Sequence, residues 1–410
     1  MNLLSNHNNI HLKEQTLTDS VLRLIWREKQ TTRASIARQM GLSRSTVSEI
    51  VDRLLRTGLI AEIGSGISSG GRKPIILEFQ DDARCILGVD LGATHVSVAL
   101  TDLRGKVLVW KEQKHPVRTD PEGTRALVLK LCDESVREWK KAKNRLIRIG
   151  VAVPSPVDPL NPKMLSEIVI PAWHGKSGLE ELQNKFNVLV HVDNDANLGA
   201  LAEQWWGAGL GIDNFIYIKI AHGIGAGYVL NGEIYRGAGG VAGELGHLPI
   251  DPNGEICVCG LKGCLTTFVS IPALTERAIK LSSQYPNSKL NIDILNFDLV
   301  EKAAMDKDEL ALKLVSEVAE YLGRALVGYF NLMNPNIAIL GGGLSGLGEL
   351  LLKPIRDKVK QNTLVSKAAV DVKTGKLGRR AVAIGAATMA LEAVFCDQSI
   401  TQMNLVPERV

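Results

Sequence analysis

The chain has 410 residues, 45% of them hydrophobic and 22% charged, which is the composition of an ordinary globular protein long enough for two or more domains. No apolar run reaches the roughly 18 residues of a membrane span, and the polar start MNLLSNHNNIHLKEQ lacks the basic-then-apolar order of a signal peptide, so a cytoplasmic protein is expected. The net charge of +4 resides entirely in residues 1–80, where eleven Lys/Arg stand against seven Asp/Glu, leaving thirty-seven of each sign for the rest. A front segment with a modest excess of positive charge is the footprint of a polyanion partner.

Apolar residues at helical spacing (Val21, Leu22, Leu24, Ile25) predict a first helix over Thr18 to Trp26. In TTRASIARQMGLSRSTVSEIVDRLLRTGLI, Thr32 is positioned to cap a helix from Arg33 to Met40, Gly41 to make the turn, and Ser43 to cap a helix through Leu55. Ala34, Ile36, Ala37, Met40, Leu42, Val47, Ile50 and Leu54 have the spacing of a helix-turn-helix. The next stretch, LIAEIGSGISSGGRKPIILEF, reads as strand, Gly/Ser-rich tip and return strand, the wing of a winged helix. Short polar and basic side chains let a helix approach base edges and phosphates, so Arg33, Ser43, Arg44, Ser45, Thr46 and Ser48 are candidate DNA contacts, with Arg72 and Lys73 on the wing.

From Arg84 the pattern changes. RCILGVDLGATHVSVALTDLRGKVLVWKEQ predicts strands around Asp90–Thr94, and NFIYIKIAHGIGAGYVLNGEIYRG repeats the arrangement around Gly223–Gly227. Helices are expected over Glu122–Lys141, Ala196–Trp206, Ala304–Phe330 and Arg380–Phe395, the last with Gly385, Ala386 and Ala387 allowing close approach. Two similar strand–glycine–strand units mixed with helices imply an α/β body of two related lobes facing a cleft. The expected division is a winged helix-turn-helix over 1–80, a first lobe over 81–196, and a second lobe with the C-terminal helix over 197–410.

Six cysteines are present, and three of them fall within eight residues. His247, Cys257, Cys259 and Cys264 have the spacing H-x9-C-x-C-x4-C, three thiolates and an imidazole that suit a closed tetrahedral zinc site. A redox pair is the rival, disfavoured because C-x-C closes a disulfide only under strain, and metal-free reduced thiols are another. Gly254, Gly260 and Gly263 permit the tight return of the chain, while isolated Cys85, Cys132 and Cys396 read as core. Glu244 lies three residues before His247, so the two can share a face; a metal on one imidazole nitrogen leaves the other for a ligand hydroxyl. Asp193, Asn194 and Asp195, between a strand and a helix, offer the donors and acceptors a polyhydroxylated ligand requires, or else an Asx-rich helix cap. Lys163, Trp173 and His174 are candidate pocket neighbours, the last two equally packing residues.

The winged helix, the glycine loops and GELGHLPIDPNGEICVCGLKGC together resemble the ROK family (repressors, open reading frames and kinases), over about Leu12 to Ala393 and at every metal-ligand position. The resemblance implies a two-lobed actin-like (ribonuclease H-like) sugar kinase fold carrying the winged helix of the repressor branch. It implies sugar contacts from Asn194, Asp195, Glu244 and His247, with Asp195 matching the general base of the family's kinases. The family's kinase pattern D-x-G-G-T becomes Asp90-Leu91-Gly92-Ala93-Thr94, and G-T-G-x-G becomes Ala221-His222-Gly223-Ile224-Gly225, while Thr266 stands where the family often has glutamate. A β-carbon at Ala93 and an imidazole at His222 crowd the approach of a phosphate, so ATP and magnesium are not expected. The expectation is a sugar-responsive repressor of carbohydrate-utilisation genes, a homodimer or homotetramer on a pseudo-palindromic operator, released by sugar; a ROK sugar kinase, a bifunctional kinase-regulator, and a repressor without a sugar ligand are the alternatives.

Overall fold

The computed structural model describes residues 17–65, 73–139, 145–158, 160–161, 165–166, 170–176, 178–364 and 370–396, with only the backbone at 396; Arg72 and Lys163 lie outside the described residues. The front domain begins with α1 (Leu17–Glu28), β1 (Gln30–Thr32), α2 (Arg33–Met40) and α3 (Arg44–Arg56). Both helix starts are set by single side chains: Thr32 Oγ1 accepts from the Ser35 N–H and Ser43 Oγ from the Thr46 N–H, each at 3.1 Å. Gly41 ends α2 in the left-handed region at φ 65°, where a β-carbon would be strained. Strands β2 (Ile60–Ser65) and β3 (Ile75–Phe79) form the wing, and β1, not expected, pairs antiparallel with β3 to complete a sheet of order β1-β3-β2.

The body contains two sheets of one design. In the first lobe β4 (Cys85–Leu91), β5 (His95–Thr101), β6 (Val107–Lys114), α4 (Pro121–Glu138), β7 (Leu146–Val153), α5 (Glu180–Phe186) and β8 (Leu189–Asn194) give the order β6-β5-β4-β7-β8. Helix α6 (Asp195–Trp206) follows directly. In the second lobe β9 (Phe215–Ile220), β10 (Ile224–Leu230), β11 (Glu233–Tyr235), α7 (Thr266–Val269), α8 (Ile271–Leu281), α9 (Phe297–Met305), α10 (Glu309–Met333), β12 (Ile337–Gly342), α11 (Glu349–Asn362) and β13 (Val372–Thr374) give β11-β10-β9-β12-β13. In each sheet the first three strands are antiparallel and the last two join in parallel. The single helix expected over 304–330 is two helices, because Lys307 turns left-handed at φ 64° and Asp308 starts a new helix by accepting from the Ala311 N–H.

The last helix, α12 (Ala381–Cys396), was expected with the second lobe but lies on the first sheet, against β4 and β7. Glycines account for the change of partner. A β-carbon on Gly88 of β4 would fall 1.9 Å from the Ala383 carbonyl oxygen, and one on Gly150 of β7 would fall 1.8 Å from that of Ala386. Gly385 in turn lets α12 meet α6 backbone to backbone, its virtual β-carbon 1.8 Å from the Leu198 oxygen. The front domain joins the same mass: Val21, Ile25, Leu77 and Phe79 share a buried cluster with Ile86, Leu103, Ala390, Leu391, Val394 and Phe395.

Trp26 of α1 marks the junction. Its ring lies 5.6 Å from Trp205 and 6.3 Å from Trp206, both at the end of α6, and 5.4 Å from Phe395 of α12. Its indole N–H donates to the Leu103 carbonyl at 2.9 Å, and the Arg104 guanidinium covers its face at 4.5 Å. Because backbone cannot retreat as a side chain can, Gly150→Ala is expected to cost about 3 kcal/mol or more, read as a fall in the urea midpoint of unfolding.

Candidate functional site

A cleft of about 350 Å³ opens between the lobes, and it is lined from both. The first lobe contributes Ala93, Arg118, Ser155, Asn194 and Asp195; the second contributes Lys219, the Ala221–Gly225 turn, Glu244, His247 and Thr266. Several of these stand at carboxyl ends of strands, where α/β sheets bind ligands.

Asn194 closes β8 and caps α6. Its Oδ1 accepts from the Ala196 N–H at 2.9 Å and the Asn197 N–H at 3.2 Å, while Nδ2 donates to the Ser155 carbonyl at 3.1 Å. One Nδ2 hydrogen is left for a ligand. The capping role considered for this triplet therefore falls to Asn194, and Asp193 is a buried structural acid held by Arg236 at 2.7 Å. Asp195, first residue of α6, accepts from Lys219 Nζ at 2.7 Å.

Lys219 was not singled out in the sequence, although a lysine inside the buried run FIYIKI is a signal, since buried lysines are rare unless paired. Burial works against its charge, but Asp195 and Asp90 outweigh that and raise its pKa. Asp90 is likewise opposed by burial yet held below the usual carboxylate range by Lys219 and by His95, whose Nε2 is 3.4 Å away. Arg118, in the loop HPVRTD, had no pattern to betray it.

Glu244 begins a tight turn over Leu245–His247, so its carboxylate and the imidazole face each other, Oε2 to Nε2 at 3.9 Å. Burial first and Asp195 second push Glu244 up to about 7. The other imidazole nitrogen, Nδ1, is 3.5 Å from Cys257 Sγ, and Cys259 and Cys264 sulfurs are 3.7 Å apart. All four ligand atoms lie within 4.8 Å of one another. Tetrahedral zinc, with Zn–S about 2.3 Å and Zn–N about 2.0 Å, sets sulfurs about 3.8 Å apart and nitrogen about 3.5 Å from sulfur, so the set fits a metal. The chain reaches this arrangement through Gly260 and Gly263, left-handed at φ 84° and 69°. Burial and the neighbouring thiols Cys259 and Cys257 push Cys264 up to about 12, a crowding that a bound cation relieves.

The expected DNA-contacting side chains divide. Ser43, Arg44 and Ser45 are exposed at the start of α3, Thr46 and Ser48 are half-buried beside them, and Lys73 is exposed where the wing returns. Arg33 differs: its guanidinium bonds Asp52 at 2.8 Å and Glu62 at 2.6 Å, joining α2 to α3 and the wing. A guanidinium with both faces of its fork on acids has little left for phosphate. Trp173 is buried, with its indole N–H on the Val117 carbonyl at 2.8 Å, and His174 is exposed; neither lines the cleft.

Residues 86–393 match the ROK family and residues 20–62 the MarR family. The xylose repressor of Caldicellulosiruptor bescii is 31% identical over 376 residues, covering 90% of this chain and 94% of that protein. Among solved structures, a ROK family transcriptional regulator described as a homologue of the Escherichia coli MLC protein has a TM-score of 0.79 at 26% identity, over 95% of this chain and 99% of that one. A ROK family glucokinase from Streptomyces griseus, in complex with glucose and AMPPNP, has a TM-score of 0.67 at 27% identity, but over 75% of this chain and 99% of that one.

The ion pairs of Arg33 are partly exposed and screened, so Arg33→Ala is expected to cost about 1 kcal/mol of stability, measured by thermal unfolding. Arg44→Ala, with no such partner among the described residues, is expected to leave the melting temperature unchanged and to weaken DNA binding in a mobility-shift titration.

Proposed function

The chain belongs to the ROK family, and from that premise we propose that it is a sugar-responsive transcriptional repressor whose operator binding is relieved by a sugar in the interlobe cleft. The observation that carries this is α6. Its first residue, Asp195, lies in the cleft, and its last two, Trp205 and Trp206, pack on Trp26 of the DNA-binding domain. At 1.5 Å per residue the helix spans about 18 Å. A sugar that shifts the start of α6 moves the surface on which α1 rests.

In this reading residues 1–80 read DNA through Ser43, Arg44, Ser45, Thr46 and Ser48, with Arg72 and Lys73 on the wing, and 81–196 and 197–410 are the lobes, α12 returning to the first. Asp195 and Glu244 accept from sugar hydroxyls, while Asn194 Nδ2 and His247 Nε2 donate. Zinc is the metal suited to His247, Cys257, Cys259 and Cys264. When bound it supplies a closed structural centre that holds the imidazole through Nδ1 and keeps Nε2 toward Glu244. Two copies on a twofold operator would present two winged helices at a fixed separation, and the sugar's preference for one lobe angle must supply a coupling of about 1–3 kcal/mol.

Asp195 Oδ2 is committed to the Lys219 ammonium, which Asp90 also faces, and its other oxygen is left to accept from a sugar hydroxyl. Binding without phosphoryl transfer is favoured by Ala93, whose β-carbon stands in the first glycine turn where the family's kinases have glycine.

Asp195→Ala is expected to weaken sugar binding about tenfold or more, the loss of a hydrogen bond to a charged group, in calorimetry, while sugar-free operator affinity stays unchanged. Loss of both would mean an unfolded variant and is checked by melting temperature. ATP turnover with a panel of hexoses, pentoses and N-acetylated sugars is expected to stay at background; turnover at ordinary enzyme rates that Asp195→Asn abolishes would refute the non-catalytic reading. Metal analysis is expected to give about one zinc per chain, with Cys259→Ser lowering both zinc content and melting temperature; a folded, reduced and metal-free wild type would remove the centre.

A further inference from the structure

The two cations that line the cleft are partnered differently. Lys219 is matched by Asp195 and Asp90, and Asp90 also by His95. Arg118 is the exception: among the described residues no carboxylate pairs with it, and its Nε is buried without a hydrogen-bond partner. The guanidinium reaches across from the loop between β6 and α4 to the second lobe's glycine turn. A β-carbon built on Gly223 would meet nothing within 4 Å except Arg118 Nη2, at 3.6 Å. His222, immediately before Gly223 in that turn, also lines the cleft, and burial together with Arg118 holds its imidazole below the usual value. Two residues on, the β-carbon position of Gly225 comes within 4.0 Å of Asp195 Oδ1, so the same turn borders the hydroxyl-binding carboxylate.

A partly desolvated guanidinium without an anion is unfavourable, and sugar hydroxyls satisfy its donors without compensating its charge. Its planar fork matches the paired oxygens of a phosphate or carboxylate. We propose that Arg118 and His222 form an acid-group subsite, and that the effector of this protein is an anionic sugar, a sugar phosphate or a uronic acid. The inference rests on the sugar-binding reading of the cleft and specifies the class of sugar. The polyhydroxyl body lies at Asp195, Glu244 and His247, and the acid group lies over the bare turn at Gly223. Arg118 belongs to the first lobe and His222 to the second, so an acid group between them meets the charge of one and a hydrogen bond from the other and ties the lobes together. Lobe closure then depends on the acid group, and a neutral sugar of the same stereochemistry fills the cleft without closing it.

The test is calorimetry and operator release on the full-length, metal-loaded protein with matched ligands: glucose, mannose, fructose and N-acetylglucosamine, each beside its 6-phosphate, with glucuronate and galacturonate as the carboxylate arm. At least one acidic member is expected to bind about tenfold or more tighter than its neutral parent, with the advantage lost in Arg118→Ala and partly kept in Arg118→Lys. Melting temperature and sugar-free operator binding of both variants should match wild type. Which arm binds separates phosphate from carboxylate. Neutral sugars that bind and release the operator as well as their acids would overturn this inference and leave the repressor reading standing, as would an acid preference that survives Arg118→Ala. Operator binding with no response to any of these sugars, neutral or acidic, would overturn the sugar-sensing reading and this inference with it.

Discussion

The contact of Gly385 on the Leu198 carbonyl sets the spacing of the whole body. At that point α12 and α6 touch without side chains between them. Helix α12 is fixed to the first sheet by two more such contacts, at Gly88 and Gly150, so α6 inherits a rigid neighbour along one side. On its other side lies β10 of the second lobe, where Gly227 admits the Ala196 carbonyl at a virtual 2.5 Å. A helix pressed by backbone on both sides slides or tilts as a unit, because close-packed interiors deform between discrete arrangements and not by local give. The cleft at one end of α6 and the tryptophans at the other are therefore mechanically joined.

Within the cleft, charge determines chemistry. Lys219, on β9 of the second lobe, places a fixed cation against Asp195 and Asp90 of the first. Asp195 keeps one oxygen free to accept from a ligand. The cysteine loop complements this by holding His247 between the thiol cluster and Glu244.

Much of this was legible because local chemistry fixes it. Thr32, Gly41 and Ser43 satisfy backbone groups within three or four residues, and their helices start and stop where the residues say. The H-x9-C-x-C-x4-C spacing needs only a short loop to bring its atoms together, and the four ligand atoms do converge. What escaped depends on distant chain. The destination of α12 is set by Gly88 and Gly150, some 230 to 300 residues earlier in the sequence. Arg33 looked like a phosphate contact until the fold delivered Asp52 and Glu62 to it. Lys219 and Arg118 gained meaning only when β8, β9 and the loop after β6 met across the cleft. The Ala304–Phe330 helix was broken by Lys307 and Asp308, a pairing whose left-handed turn follows from the Asp308 cap and not from apolar periodicity.

The aromatic seam between the front domain and the body has a consequence for biosynthesis. The ribosome makes α1, α2 and α3 first, yet Ala390, Leu391, Val394 and Phe395, which complete their apolar underside, belong to the last helix described. A nascent chain thus holds a helix-turn-helix with Trp26 uncovered until α12 has been made. Prematurely ended products would display that greasy underside to chaperones and proteases, so only a chain whose effector-binding body has been made in full can shelter the element that reads the operator.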